Sequence, residues 1–203
     1  MVSDTVKIVL AVVFIVIVLG ILACVGFYFG THNTLVDKDT SVEKAKSDID
    51  SQYQRRADLI PNLVNTVQGS ANFEKSTQTE IAGLRSQAIT GQQMMQNAKT
   101  VDDIQAANNV IDNTLSRLMV VVEAYPQLQT TGSFKDLMTE LEGTENRINY
   151  ARTNYNEAVQ EYKKAVKNLP SSIIANMEGY DAEKYKMYEA KAGTDVAPTV
   201  KFT

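Results

Sequence analysis

The residues of this chain that could do chemistry are few, and most of them are charged. Arg55, Arg56 and Asp58 fall just ahead of Pro61, and Glu145, Arg152, Tyr155 and Asn156 form a second group much further along. Guanidinium and carboxylate groups pair with one another or hold a charged partner, and neither group sets a nucleophile beside a base. His32 is the only histidine and Cys24 the only cysteine. Zinc sites built on several His or Cys ligands, His-based triads, Cys-His dyads and an internal disulfide are therefore excluded. No Asp/Glu cluster has the spacing of a cation-binding loop. The expectation is a protein that is not an enzyme, with no catalytic residue, cofactor or metal.

The elements that position these groups follow from composition and periodicity. The 203 residues include only four prolines, ten glycines and no tryptophan, which disfavours a turn-rich β fold and favours long helices around one core. Acidic residues number 24 against 20 basic, a net charge of −4 spread along the chain, so nucleic acid is not an expected partner.

Between Val6 and Gly30 the only charge is Lys7, and Ile8 to Leu19 is unbroken Ile, Val, Leu, Ala and Phe. As a helix this stretch spans about 37 Å, enough to cross a hydrocarbon core of about 30 Å with some tilt. Tyr28 suits an interfacial aromatic near the far end. A cleaved secretory signal would have a shorter apolar part, and a lipoprotein signal ending at Cys24 would turn polar beyond it, whereas here apolar residues continue to Phe29. The expectation is a single-pass anchor over 6–30 behind a short tail, 1–5. Lys38, Lys44 and Lys46 outweigh Lys7 and the α-amino group, which biases the body of the protein towards the cytoplasmic side.

Beyond the anchor, Leu35, Val42, Ile49, Arg56 and Leu63 recur every seven residues, with Tyr53, Ile60 and Val67 as a second row. This predicts a long helix, continuous with the anchor, kinked near Asp58 by Pro61 and stopping around Gly69 to Asn72. A second helix is expected from Phe73 to Gln96 with Ile81, Leu84, Ala88 and Met95 inward, and with Gly83 and Gly91 as sites of bending or fraying. Thr100 and Asp103 resemble a capping box for a third helix, in which Ile104, Ile111, Leu118 and Tyr125 repeat beside Leu115 and Val122, and Pro126 closes it. After a loop from Gln127 to Gly132, Ser133 and Asp136 read as the cap and N3 of a fourth helix. There Phe134, Leu141, Ile148, Tyr155, Tyr162 and Leu169 keep a seven-residue spacing, Met138, Val159 and Val166 accompany them, and Pro170 ends it. The segment 170–203 carries Ile173, Ile174, Met177, Tyr180, Tyr185, Tyr188 and Phe202 and is expected to dock on the bundle. A short helix around Asp181 to Ala190, capped by Asp181, would leave Lys184, Lys186 and Lys191 in solvent. The fold class is thus all-α: a transmembrane helix, then an elongated antiparallel helical bundle over 31–169 with a docked C-terminal segment.

The run Gln54-Arg55-Arg56-Ala57-Asp58-Leu59-Ile60-Pro61-Asn62-Leu63-Val64 strongly resembles the signature of the LemA family, and Asn33-Thr34-Leu35-Val36 resembles that family's motif beyond the membrane. Further similarities follow in order: Tyr125-Pro126-x-Leu128, then Glu145-x-x-Ile148-x-x-Ala151-Arg152-x-x-Tyr155-Asn156-x-x-Val159-x-x-Tyr162, then Pro170, then Pro198-Thr199-Val200-Lys201-Phe202. They cover nearly all of the chain from residue 32 onward. Departures are local: His32 stands where Tyr is usual, Ser70 and Phe73 where Tyr and His are common, and Lys163 follows Tyr162 where Tyr-Asn is common. The resemblance implies a membrane helix followed by an antiparallel bundle and supplies no chemistry. Members of the family are linked with membrane organisation, including magnetosome formation, and with neighbourhoods encoding membrane proteases.

On the predicted bundle Arg56 falls in an apolar row and needs a carboxylate, for which Glu145 is the candidate, with Asp58 and Arg152 joining the network. These residues, with Arg55, Pro61, Tyr155 and Asn156, are expected to fix register or to meet a partner, and the bundle offers no evident cleft. The functional expectation is a self-associating scaffold that organises the membrane. The alternative is an adaptor that presents clients to a membrane protease or other membrane complex through the polar face of 76–97. Expected partners are the lipid bilayer, further copies of the chain and another membrane protein.

Overall fold

The computed structural model describes residues 4–70 and 73–188, and among them every regular element is helical. The helices are α1 (Asp4–Ser70), α2 (Lys75–Asn97), α3 (Val101–Ala124), α4 (Gly132–Lys167) and α5 (Ser171–Glu178), with a 3-10 turn at Pro126–Thr130 between α3 and α4. By compactness the chain divides into two units, Met1–Glu43 with Ala158–Tyr185 and Lys44–Glu157 with Lys186–Thr203.

In the first unit, α1 runs from the apolar segment into Leu35 and Val42 without a break. From Ile8 to Phe29 its large apolar side chains are exposed, and its most apolar window, of mean hydropathy 3.5, has nothing buried. A helix apolar on every side, with none of the described residues packed over it, meets the requirement of lipid rather than of water. Below it Leu35, Val42, Val159, Tyr162, Val166, Ile174, Ala175 and Ala182 are buried. The Tyr162 hydroxyl donates to the Asp181 carbonyl at 3.0 Å, the Lys184 ammonium to Asp39 Oδ1 at 2.8 Å and the Tyr185 hydroxyl to the same oxygen at 3.0 Å. Glu183 accepts from Lys163 at 2.9 Å and Lys167 at 2.8 Å, and these two ammonium groups hold its carboxyl down to about 2.

Two expectations for this unit are corrected. Leu169 does not continue the buried row of α4: it is 78% exposed and the helix ends at Lys167. A residue before proline is pushed out of the helical region, so Leu169 loses the register of Tyr162. Nor is 181–188 helical; the short helix is α5, upstream. Asp181 Oδ1 instead accepts the Glu183 N–H at 2.8 Å, a local turn that competes with helix formation. The expected helix's last residues, Glu189 and Ala190, together with Lys191 and the motif 198–202, lie outside the described residues.

In the second unit, Ile49, Tyr53, Ile60, Leu63 and Val67 of α1 are buried, as are Ile81, Leu84, Ala88 and Met95 of α2, Ile104, Ile111, Leu118 and Val122 of α3, and Phe134, Leu141, Ile148 and Tyr155 of α4. Helix α1 passes through Pro61 without ending. The capping box at α3 is complete: the Asp103 N–H donates to the Thr100 hydroxyl at 3.1 Å and the Thr100 N–H to Asp103 Oδ2 at 2.9 Å.

The differences again have local causes. Leu115 and Met138 are only half-buried, and Ala107, Thr114 and Val121 fill the second row of α3, the Thr114 hydroxyl being returned to the Val110 carbonyl at 2.8 Å. Ser133 is not a cap. The Thr131 carbonyl already accepts the Lys135 N–H, so α4 starts at Gly132, and the preceding segment is the 3-10 turn with Leu128 buried rather than an open loop. Gly91 is not a point of fraying but a buried contact in the packing of α2 on α3: a Cβ there would stand 2.9 Å from Ile111 Cγ1.

Candidate functional site

The second unit contains a cleft of about 480 Å³, lined by Tyr53, Arg56, Asn108, Glu145, Ile148, Asn149, Arg152, Thr153, Asn156 and Tyr188. The expectation of a surface with no cleft is therefore corrected, and the cleft gathers four of the residues singled out from sequence: Arg56, Glu145, Arg152 and Asn156.

Arg56 is placed by the heptad row of α1 and is 7% exposed. Its Nη2 donates to Asp112 Oδ1 at 2.5 Å and its Nη1 to Asn108 Oδ1 at 2.6 Å, both from one turn of α3. Glu145 Oε2 stands 3.3 Å from Nε, near enough for charge attraction, but Nε makes no hydrogen bond among the described residues. The expected pairing with Glu145 is thus present as the weaker contact, and Asp112 is the bonded carboxylate. A buried guanidinium bonded to one carboxylate and one amide, with a second carboxylate close by, is compensated in charge and fixed in direction.

Asp58 does not join this network. It is exposed and accepts from the side chains of Gln54 at 2.9 Å and Gln92 at 2.8 Å. Arg55 is also exposed and pairs with Glu140 at 2.6 Å. Pro61 is half-buried within α1 and is not among the residues that line the cleft.

The other wall is a strap formed by residues 186–188. Asn156 Oδ1 accepts the Tyr188 N–H and Asn156 Nδ2 donates to the Tyr188 carbonyl, both at 2.9 Å, so one side-chain amide satisfies both polar backbone groups of that residue. The Tyr155 hydroxyl donates to the Lys186 carbonyl at 3.1 Å. Tyr155, read from its spacing as a core residue, is buried as expected and also pins the strap.

Tyr188 is 4% exposed, packs edge-on against Tyr155 with ring centroids 5.3 Å apart, and lies beneath the Arg152 guanidinium, 5.6 Å from its ring centre. Its hydroxyl is buried without a hydrogen-bond partner among the described residues. Burial pushes the Tyr188 phenol well above its ordinary pKa, with the charges of Tyr53, Asp50 and Tyr155 adding to the rise and Arg152 opposing it. Burial also raises Tyr53, against the lowering influence of Arg152 and Arg56. These tyrosines remain neutral over the physiological range and can donate hydrogen bonds.

Sequence reasoning did not single out Asn108 or Asp112, and it gave Tyr188 only as an apolar residue of the tail. The signal for the first two was an i, i+4 polar pair on the flank of the Ile104–Ile111 row, the spacing that presents two side chains on one helix face. Among the described residues no group of three or more His, Cys, Asp or Glu side chains stands close enough to hold a metal ion.

Comparison with known proteins gives this arrangement a context. The description "LemA family" belongs to the family pattern that matches residues 45–202. Magnetosome protein MamQ 2 of Paramagnetospirillum magneticum is 27% identical over 190 residues, covering 84% of this chain and 70% of that protein. MamQ of Magnetospirillum gryphiswaldense is 26% identical over 195 residues, covering 87% and 71%, and protein LemA of Metamycoplasma hominis is 22% identical over 169 residues, covering 81% and 71%. With the match extending over most of the chain, and with an exposed apolar helix ahead of it, the chain belongs to the LemA family as a membrane-associated member.

Proposed function

We propose that the protein is a non-enzymatic, single-pass membrane scaffold whose bundle self-associates at the bilayer. The observation that carries this reading is α1, one unbroken helix that supplies both the exposed apolar run and the buried rows from Leu35 to Val67. Anchor and bundle therefore share one element, so association of either brings the other with it. The likeness to magnetosome proteins supports a role in organising membrane. The lysines beyond the anchor favour a body on the cytoplasmic side. The test is the mass of the detergent-solubilised full-length protein by multi-angle light scattering, together with crosslinking in native membranes. A multiple of the chain mass and self-crosslinks are expected. A monomer at every concentration that crosslinks no partner overturns the scaffold.

A second reading, an adaptor that presents clients to a membrane protease or other membrane complex, is favoured by the cleft. Its wall offers the Tyr188 hydroxyl and Arg56 Nε, two buried polar groups without hydrogen bonds among the described residues. Such groups gain most from a partner that supplies an acceptor. The cleft, rather than the polar face of 76–97, is then the client site. Proximity labelling from the bundle separates the readings: recovery of other membrane proteins supports the adaptor, and recovery of the chain's own copies and lipid alone supports the scaffold.

A further inference from the structure

Outside the anchor, large exposed apolar side chains among the described residues are scattered singly except in one place. Leu169 is 78% exposed, Ile173 57% and Met177 74%, at intervals of four residues. Ile173 and Met177 stand one turn apart on the same side of α5, with Leu169 just ahead of its first turn, while Ile174 and Ala175 face inward. Single exposed apolar residues are ordinary on a protein surface; two on one side of a short helix, with a third just ahead of it, are not.

Both ends of α5 lie against the stretch where α1 leaves its apolar run. Glu178, the last residue of α5, accepts the Tyr28 hydroxyl at 2.8 Å and stands 2.8 Å from His32 Nδ1. Ser171, the first, lines a hollow with Phe27, Gly30, Thr31 and Thr34. The uncharged run Ile8–Gly30 ends in the same place. A helix of that length spans about 34 Å, so when its start is at one surface of a hydrocarbon core of about 30 Å its end is at the other. Resting on the proposed span, this puts α5 at headgroup depth, where lipid can cover its exposed apolar side chains.

We infer that α5 is an interfacial helix, with Leu169, Ile173 and Met177 inserted into the headgroup–acyl boundary of the bilayer that α1 crosses. A helix in that position buries its apolar side chains about 5–10 Å into the boundary and leaves its polar groups in the headgroup layer. Tyr28, His32 and Glu178 are those polar groups: they satisfy one another and hold α5 against the anchor, so the helix is docked before lipid covers it. The anchor fixes the position of the protein across the membrane, and α5 adds a second contact that fixes its orientation.

The test uses the full-length protein, carrying Cys24→Ala, in vesicles of phosphatidylcholine and phosphatidylglycerol. Single cysteines introduced by Ile17→Cys, Ile173→Cys, Met177→Cys or Glu157→Cys carry an environment-sensitive fluorophore. The two α5 probes are expected to emit to the blue of the Glu157 probe. They should also be quenched more by a nitroxide near the carboxyl end of the acyl chain than by one near its methyl end, whereas the Ile17 probe should favour the deeper nitroxide. Water-like emission from both α5 probes overturns the inference, and so does a blue shift that no lipid nitroxide quenches, because protein and not lipid would then cover α5. Quenching of the Ile17 probe in either case leaves the membrane span standing and removes only the interfacial helix. If no probe is quenched, span and inference fall together.

Discussion

A guanidinium buried to the extent of Arg56 is tolerated only while its partners remain, and the three partners are unequal. Asp112 is directly bonded and 22% exposed, Asn108 is bonded but neutral, and Glu145 is 46% exposed and unaligned for a bond. Arg56→Ala removes the guanidinium bonded to a largely buried carboxylate and should cost about 3–5 kcal/mol. Asp112→Asn leaves the guanidinium with Glu145 and a neutral acceptor and should cost about 1–3 kcal/mol. Glu145→Gln should cost about 0–1 kcal/mol, the range of a solvent-screened pair. Denaturant unfolding of the detergent-solubilised variants checks the order, and a Glu145 effect equal to that of Arg56 would show that the outer carboxylate dominates. The burial of Arg56 was legible in its place on an apolar row. The identity of its partner was not, because one helix's periodicity says which side is buried and leaves open which residue of another helix stands opposite. Tyr188 was hidden for a related reason: its place in the cleft depends on Asn156 and Tyr155 capturing backbone, and no side-chain pattern in the strap announces that.

Helix existence and the buried rows were legible because seven-residue spacing is imposed by packing along the whole element; helix ends were less so, because they depend on single local bonds. Thr100 and Asp103 signalled a start that the structure has, whereas Ser133 carried the right residue type two residues too late, the 3-10 turn having already passed the chain on to α4 at Gly132. The glycines of α2 show the same division. Gly83 has open space where a Cβ would go, and Gly91 has Ile111 Cγ1 at 2.9 Å and Val110 Cγ1 at 3.4 Å. Sequence assigns both the same cost in a helix; structure gives them opposite signs. Gly83→Ala should stabilise by up to about 1 kcal/mol through helix propensity. Gly91→Val should destabilise by about 1–3 kcal/mol through overpacking against α3. Thermal melts followed by circular dichroism compare the two, and a Gly91→Val variant as stable as the parent would mean that α2 and α3 can separate at no cost.

For the molecule as a whole, the apolar run was visible in the sequence, but the role of the tyrosines in tying down the C-terminal segment was not. Tyr162 holds the Asp181 carbonyl in one unit, and Tyr155 holds the Lys186 carbonyl in the other. Each was read as apolar filling, and spacing alone cannot tell a buried ring from a buried ring whose hydroxyl is in use. This arrangement makes the fold sensitive to base. Burial is the leading cause of a raised pKa at Tyr53, Tyr155, Tyr162, Tyr180, Tyr185 and Tyr188. A group whose pKa is higher folded than unfolded binds more protons in the folded state once the pH passes its unfolded value, about 10 for a phenol. Its contribution to stability is therefore complete below that value and is lost as the pH rises towards the folded one. Lys184, raised by its bond to Asp39, acts in the same direction. The sum over both units predicts a loss of stability that begins near pH 10 and steepens above it. In an alkaline titration, tyrosinate absorbance from these residues and the loss of helical circular dichroism should appear together as one cooperative step. The opposite result is tyrosinate from all of these residues near its ordinary pH with the helical signal intact. It would mean that water reaches the phenols in the folded state, and that their hydroxyl bonds to the 181–188 segment are not what holds it.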